Sequence, residues 1–133
     1  MDSTDVTAGT NATALQYNNL RKDLILAKAV GGTETDAATI TIDWSDNTKG
    51  KIRTVTIAGS RTLAFSNVTA GQFLIVRIVQ GGSGGYTPTY PADVDFSFGI
   101  SPILSVTAGD IDWVVFYAKT ASTFDAFHAG TNM

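Results

Sequence analysis

From Ala38 to its C-terminus the chain is a succession of short runs in which apolar residues return at every second position, separated by residues that favour turns. A period of two belongs to a pleated strand with one buried face, whereas a helix needs a period of 3.6. The cleanest case is Thr39 to Ser45, where Ile40, Ile42 and Trp44 share one face and Thr39, Thr41 and Asp43 the other. Asp46 to Gly50 reads as a turn and Ile52 to Ala58 as a return strand with Val55 and Ile57 inward, so the two runs predict a hairpin. Thr62 to Phe65 is a further short strand. Phe73 to Gln80 carries apolar groups on both faces and requires cover on both sides. Gly81 to Gly85 forms a flexible turn, and Tyr86 to Tyr90, interrupted by Pro88 and followed by Pro91, suits an edge or irregular strand. Val94, Phe96 and Phe98 alternate again, and Ile103 to Val106, Ile111 to Lys119 and Thr123 to Ala129 supply the remaining strands.

Composition points the same way. Nineteen threonines and 13 glycines against a single glutamate favour strands and turns over helix, and 133 residues suffice for one core. Eight or nine short strands with regular turns describe an all-β protein, a two-sheet sandwich of jelly-roll type. The tetrapeptide Val-Thr-Ala-Gly occurs three times, at Val6, Val68 and Val106. The later copies precede long apolar runs, where glycine can take a positive φ and turn the chain.

One helix is expected before the strands, from Asn11 to Ala29, with Thr10 or Asn11 as its cap. Tyr17, Leu20, Leu24 and Ala27 recur at helical spacing, and Leu15, Ile25 and Leu26 widen the stripe. This stripe either packs on the body of its own domain or forms a short oligomer seam with copies of itself. Gly31-Gly32-Thr33 ends the helix, and the polar residues through Asp36 read as a hinge. The chain therefore divides into a tail and helix over 1–36, serving as anchor or oligomerisation segment, and a β-sandwich over 37–133.

Several chemistries are excluded at once. Without cysteine there is no disulfide, thiolate site or cysteine nucleophile. His128, the lone histidine, leaves nothing for a multi-histidine metal site or a triad. A net charge of −3 weighs against nucleic acid as a partner. No apolar run reaches the length of a membrane span, and the start Met-Asp-Ser-Thr-Asp lacks the pattern of a secretory signal, so a soluble protein not secreted by that route is expected. The sequons at Asn11 and Asn67 read as turn chemistry.

The remaining candidates are weak. Asp93 with Asp95, and Asp110 with Asp112, sit at i, i+2 on one strand face, as a glycosidase pair would, but beside Pro91 and Gly109 they read as turn residues. Asp43 to Thr48 has a calcium-loop flavour without the required glycine and glutamate. Gly81 to Gly85 lacks the lysine and helix of a phosphate loop, and Ser60, Ser66 and Ser101 lack an elbow motif. No cofactor is expected. Tyr86 and Tyr90, beside glycines and prolines, are the candidates for stacking on a sugar ring.

The stretches Thr39-Ile40-Thr41-Ile42-Asp43-Trp44, Leu63 to Gln72, Gln80 to Ala92, Pro102 to Gly109 with Asp112 and Phe116, and the ending Gly130-Thr131-Asn132 together carry a resemblance. With Asn11 to Asp23 before them, they make the chain similar to the small β domains of tailed-bacteriophage virion proteins, tail-fibre-like or capsid-decoration-like. Tyr90 stands where such domains often have tryptophan, and Met133 where they usually end in an aromatic residue. The resemblance implies no catalytic motif. It implies a non-enzymatic virion structural protein, a homotrimer, whose other partners are capsid or tail proteins. A short chain beginning at Met1 favours a decoration protein or a small fibre or tip subunit. The alternative is a receptor-binding module that takes host-surface glycan through Tyr86 and Tyr90.

Overall fold

The computed structural model describes Ala14 and residues 31–132. Apart from Ala14, the expected helix and its seam residues Tyr17, Leu20, Leu24 and Ala27 lie outside that range. Residues 31–132 are all-β: β1 (Gly31–Glu34), β2 (Thr39–Asp43), β3 (Ile52–Ile57), β4 (Thr62–Ser66), β5 (Phe73–Gln80), β6 (Val94–Phe96), β7 (Ile111–Ala118) and β8 (Phe124–Gly130). A single 3-10 turn, Ser97–Gly99, follows β6.

Two layers form. Six strands make one sheet in the order β1-β3-β5-β7-β8-β6, and β2 pairs with β4 in a second sheet. The core lies between them. Ile40, Ile42, Trp44 and Leu63 from the small sheet meet Val55, Ile57, Leu74, Val76, Ile78, Val114 and Phe116 from the large one. Trp44 and Phe65 stack on Phe124 across the layers, at ring-centroid distances of 5.5 and 5.1 Å. Burial of these apolar side chains, each contributing about 1.5–3 kcal/mol when fully removed from water, is what holds the layers together.

The pairing differs from the expected hairpin. β2 and β3 belong to different sheets, and from β1 to β5 the chain passes alternately between layers, so that β1, β3 and β5 lie side by side and parallel while β2 lies parallel to β4. Thr39 pairs with Thr62 and Ile52 with Ile75, the same interval of 23 residues in both layers. Alternation dictates which face of a strand is buried but not which strand lies beside it. Two runs with apolar inner faces satisfied that demand by facing each other across the core. β7 runs antiparallel to both β5 and β8, while β6 is parallel to β8. Four of the six pairings are thus parallel, unlike the antiparallel pairing of a jelly roll.

Three further expectations are corrected. Gly31–Glu34 is not a hinge but an edge strand paired with Ile52–Val55. A Cβ on Gly32 would lie 2.3 Å from the Lys49 Cβ, so glycine is what lets the Lys49 turn close over this strand. Ile103 to Val106 forms no strand; Leu104 alone turns inward, and Ile103 and Val106 face solvent. Pro102 beside it donates no backbone hydrogen bond, which weakens any ladder there. Phe98 leaves the alternation of Val94 and Phe96 because the chain turns at Ser97–Gly99, with Phe98 at φ +61°. Gly71 and Gly109, which close the second and third Val-Thr-Ala-Gly copies, have φ values of +87° and +90° and reverse the chain before β5 and β7.

Candidate interaction surface

The polar candidates resolve into turns and clamps. Asp43 accepts hydrogen bonds from the Ser45 amide at 2.8 Å and its hydroxyl at 2.7 Å, and Asp46 accepts from the Thr48 amide at 3.0 Å. The Ser45 hydroxyl on Asp43 and the Thr48 hydroxyl on Asp46 hold both carboxyls below the usual carboxylate range. The backbone carbonyls of this loop face a cation of the protein's own. Arg53, fully buried, donates to the carbonyls of Gly50 (2.8 Å), Asp43 (2.8 Å) and Asp46 (3.1 Å), and its Nη1 meets Glu34 Oε1 at 2.7 Å. Lys49 Nζ takes the other Glu34 oxygen at 2.8 Å. Among the described residues, no group of three or more acidic or histidine side chains is arranged to hold a metal.

Asp93 and Asp95 are both exposed. Asp95 pairs with Lys119, which also meets Asp125 at 3.0 Å. Asp110 accepts from the Thr107 amide at 3.1 Å and closes a turn. Asp112 is different: it is fully buried, accepts from the Ser105 amide at 2.9 Å and the Ser105 hydroxyl at 3.2 Å, and lies 3.5 Å from His128 Nε2. Serine, histidine and aspartate meet here in the wrong order for catalysis. A nucleophilic triad places the imidazole between hydroxyl and carboxylate so that it can take the proton. Here the carboxylate stands in the middle, and it ties the loop before β7 to the strand.

Tyr86 and Tyr90 do not form an exposed pair. The Tyr86 backbone is clamped at both N–H (3.1 Å) and C=O (2.8 Å) by the buried Gln80 amide. The ring of Tyr90 packs against Phe96 at 4.9 Å and Phe116 at 6.1 Å, and its hydroxyl is buried with no hydrogen-bond partner among the described residues. Burial, and secondarily the charge of Asp112, pushes the Tyr90 phenol well above its usual pKa. The glycine run closes as a turn, with the Gly84 amide donating to the Gly81 carbonyl at 2.9 Å. Comparison with protein-family models, curated proteins and solved structures gives no match.

One loop of the described fold leaves large apolar side chains in solvent. Phe98 is 99% exposed, and Ile100, Ile103 and Val106 stand out from the same loop. No charged residue occurs between Asp95 and Asp110. A phenylalanine held in the left-handed region costs about 1–2 kcal/mol, and its ring gains no packing within the described fold in return. Exposed apolar side chains on one uncharged loop make it the candidate interaction surface. Sequence reasoning assigned Phe98 and Ile103 to strands. The signal that bore on this loop was its lack of charge together with Gly99 and Pro102.

Proposed function

We propose that this protein is a non-enzymatic structural component of a tailed-bacteriophage virion, a capsid-decoration or tail-fibre or tip subunit that assembles as a homotrimer and docks on capsid or tail proteins. The observation that carries this reading is the uncharged loop bearing Phe98, Ile100, Ile103 and Val106, whose apolar side chains are exposed among the described residues. A surface of that composition suits a permanent interface between subunits. The single serine-histidine-aspartate cluster is arranged as a clamp, which supports assembly over catalysis. The resemblance of Thr39 to Trp44, Leu63 to Gln72 and Pro102 to Gly109 to virion β domains supplies the virion setting.

Light scattering coupled to size exclusion tests the assembly. The full chain at micromolar concentration is expected at about three times its 14.0 kDa subunit mass, and a persistent monomer would overturn the reading. The virion setting is tested separately, by whether capsid or tail genes flank the coding sequence.

A further inference from the structure

The apolar loop lies between β6 and β7, and after its turn at Ser97–Gly99 residues 100–106 belong to no strand. Its course is set by a few fixed points instead. Leu104 is buried in the core, and the next residue, Ser105, gives both its amide and its hydroxyl to Asp112. Beyond them the Thr107 amide donates to Asp110, the Gly109 amide donates to the Gln80 carbonyl, and the Gln80 amide donates to the Asp110 carbonyl, which ties the end of the loop to β5. With Leu104 and Ser105 drawn toward the protein, their neighbours Ile103 and Val106 are turned out into solvent.

Asp112 is an unexpected residue for this task. On β7 it shares the inner face with Val114, Phe116 and Ala118, all fully buried, so alternation reserves its position for an apolar side chain. Among the described residues no lysine or arginine pairs with its carboxylate, and His128 Nε2 stands 3.5 Å away. A buried carboxylate returns little net stability, because lost hydration offsets most of what its hydrogen bonds supply, and an apolar side chain in such a position is often no less stable. What an apolar side chain would not do is hold Ser105.

We infer that Asp112 is a positioning residue for assembly: its carboxylate, by fixing Ser105, holds the loop that carries Ile100, Ile103 and Val106 in the shape that a second copy of the chain meets. The inference rests on the reading of this loop as the subunit interface. A second copy is the fitting partner because the loop carries no charge between Asp95 and Asp110 whereas the chain as a whole carries −3, so copies meet there without setting like charges against each other. A loop already in its bound shape loses less conformational freedom on association, and one that holds that shape only part of the time binds more weakly by the same fraction.

Asp112→Val separates positioning from stability. Dilution of the full chain, followed by light scattering, gives the concentration at which half of the assembly has dissociated, and the amide resonances of Ile42 and Leu63 report on the core. The variant is expected to keep those resonances in place and to half-dissociate at about tenfold higher concentration than the parent. A folded variant that assembles as the parent does overturns the inference and leaves the interface reading standing. If Asp112→Val does not fold, Ser105→Ala, which removes only a hydroxyl from a half-buried loop residue, replaces it. Weaker assembly of that variant, restored by Ser105→Thr, supports the positioning role, and unchanged assembly overturns it. A parent that stays a single chain at every concentration overturns the interface reading, and the inference with it.

Discussion

Arg53 occupies a position that alternation assigns to the core: it lies at i, i+2 and i+4 with Val55 and Ile57, and all three are buried. The charge survives there because Glu34 and three backbone carbonyls use its donors, and those carbonyls belong to the turn that carries the chain from one layer to the other. Removing one member of a buried pair strands the other, so Arg53→Ala is expected to cost about 3–5 kcal/mol in urea unfolding. Arg53→Lys should recover little of that loss, because an ammonium cannot reproduce a planar fork serving four acceptors. An unchanged midpoint for either variant would mean that the turn is held by something else. Acid stability also belongs to this scale. Arg61 binds Asp36 through two hydrogen bonds of 2.7 and 2.6 Å and, chiefly by that bonding, lowers the pKa of its carboxyl; Asp43 and Asp46 are lowered by Ser45 and Thr48. A depressed folded pKa contributes stability that is present above the unfolded value of about 3.9 and is lost as pH falls through the folded value. Melting temperature is therefore expected to hold from neutral pH down to about 4 and to fall below it. A flat profile through that range would deny these three carboxylates their role.

At the scale of elements, β2 shows what patterning decides. Ile40, Ile42 and Trp44 are buried and Thr39 and Thr41 exposed, as a period of two requires. Ile42→Ala is expected to lose about 2–5 kcal/mol by leaving a cavity, whereas Thr41→Ala, one position away, should stay within about 0.5 kcal/mol; chemical denaturation of the two variants checks both. The same pattern was silent on pairing. Nothing in Thr39 to Asp43 distinguishes an antiparallel neighbour at Ile52 from a parallel one at Thr62, because the hydrogen-bonding groups are identical in every residue but proline. The one legible trace was the recurrence of Thr-Ile-Thr-Ile at Thr39 as Thr-Leu-Ala-Phe at Thr62, aligned at the interval the fold uses. The Ile103 to Val106 run failed as a strand for the complementary reason. It has the apolar content, but Pro102 precedes it, and Asp112 holds Ser105 by its amide and its hydroxyl.

At the scale of the whole molecule, the question is where unburied apolar surface goes. Phe98→Gly removes a ring that touches solvent and relieves a positive φ, so the fold should be retained within about 1 kcal/mol of the parent. If the Phe98 loop joins subunits, the same substitution should shift the light-scattering mass toward the single chain at concentrations where the parent stays assembled; an unchanged mass would remove the loop from the interface. By itself the sequence determined the secondary-structure class, the inward faces of the strands carrying Ile40, Ile42 and Trp44 and Val55 and Ile57, and the absence of thiol chemistry. Those depend on residue type and on a period that each strand carries locally. Only the tertiary structure decided that β2 and β3 face each other across the core, that Arg53 fills the carbonyls of the turn between them, that Asp112 stands between Ser105 and His128, and that Phe98 ends in water. Each of these depends on which distant segment lies alongside. Strand pairing uses the same backbone groups everywhere, so that choice is made only when all the apolar faces compete at once for the same core.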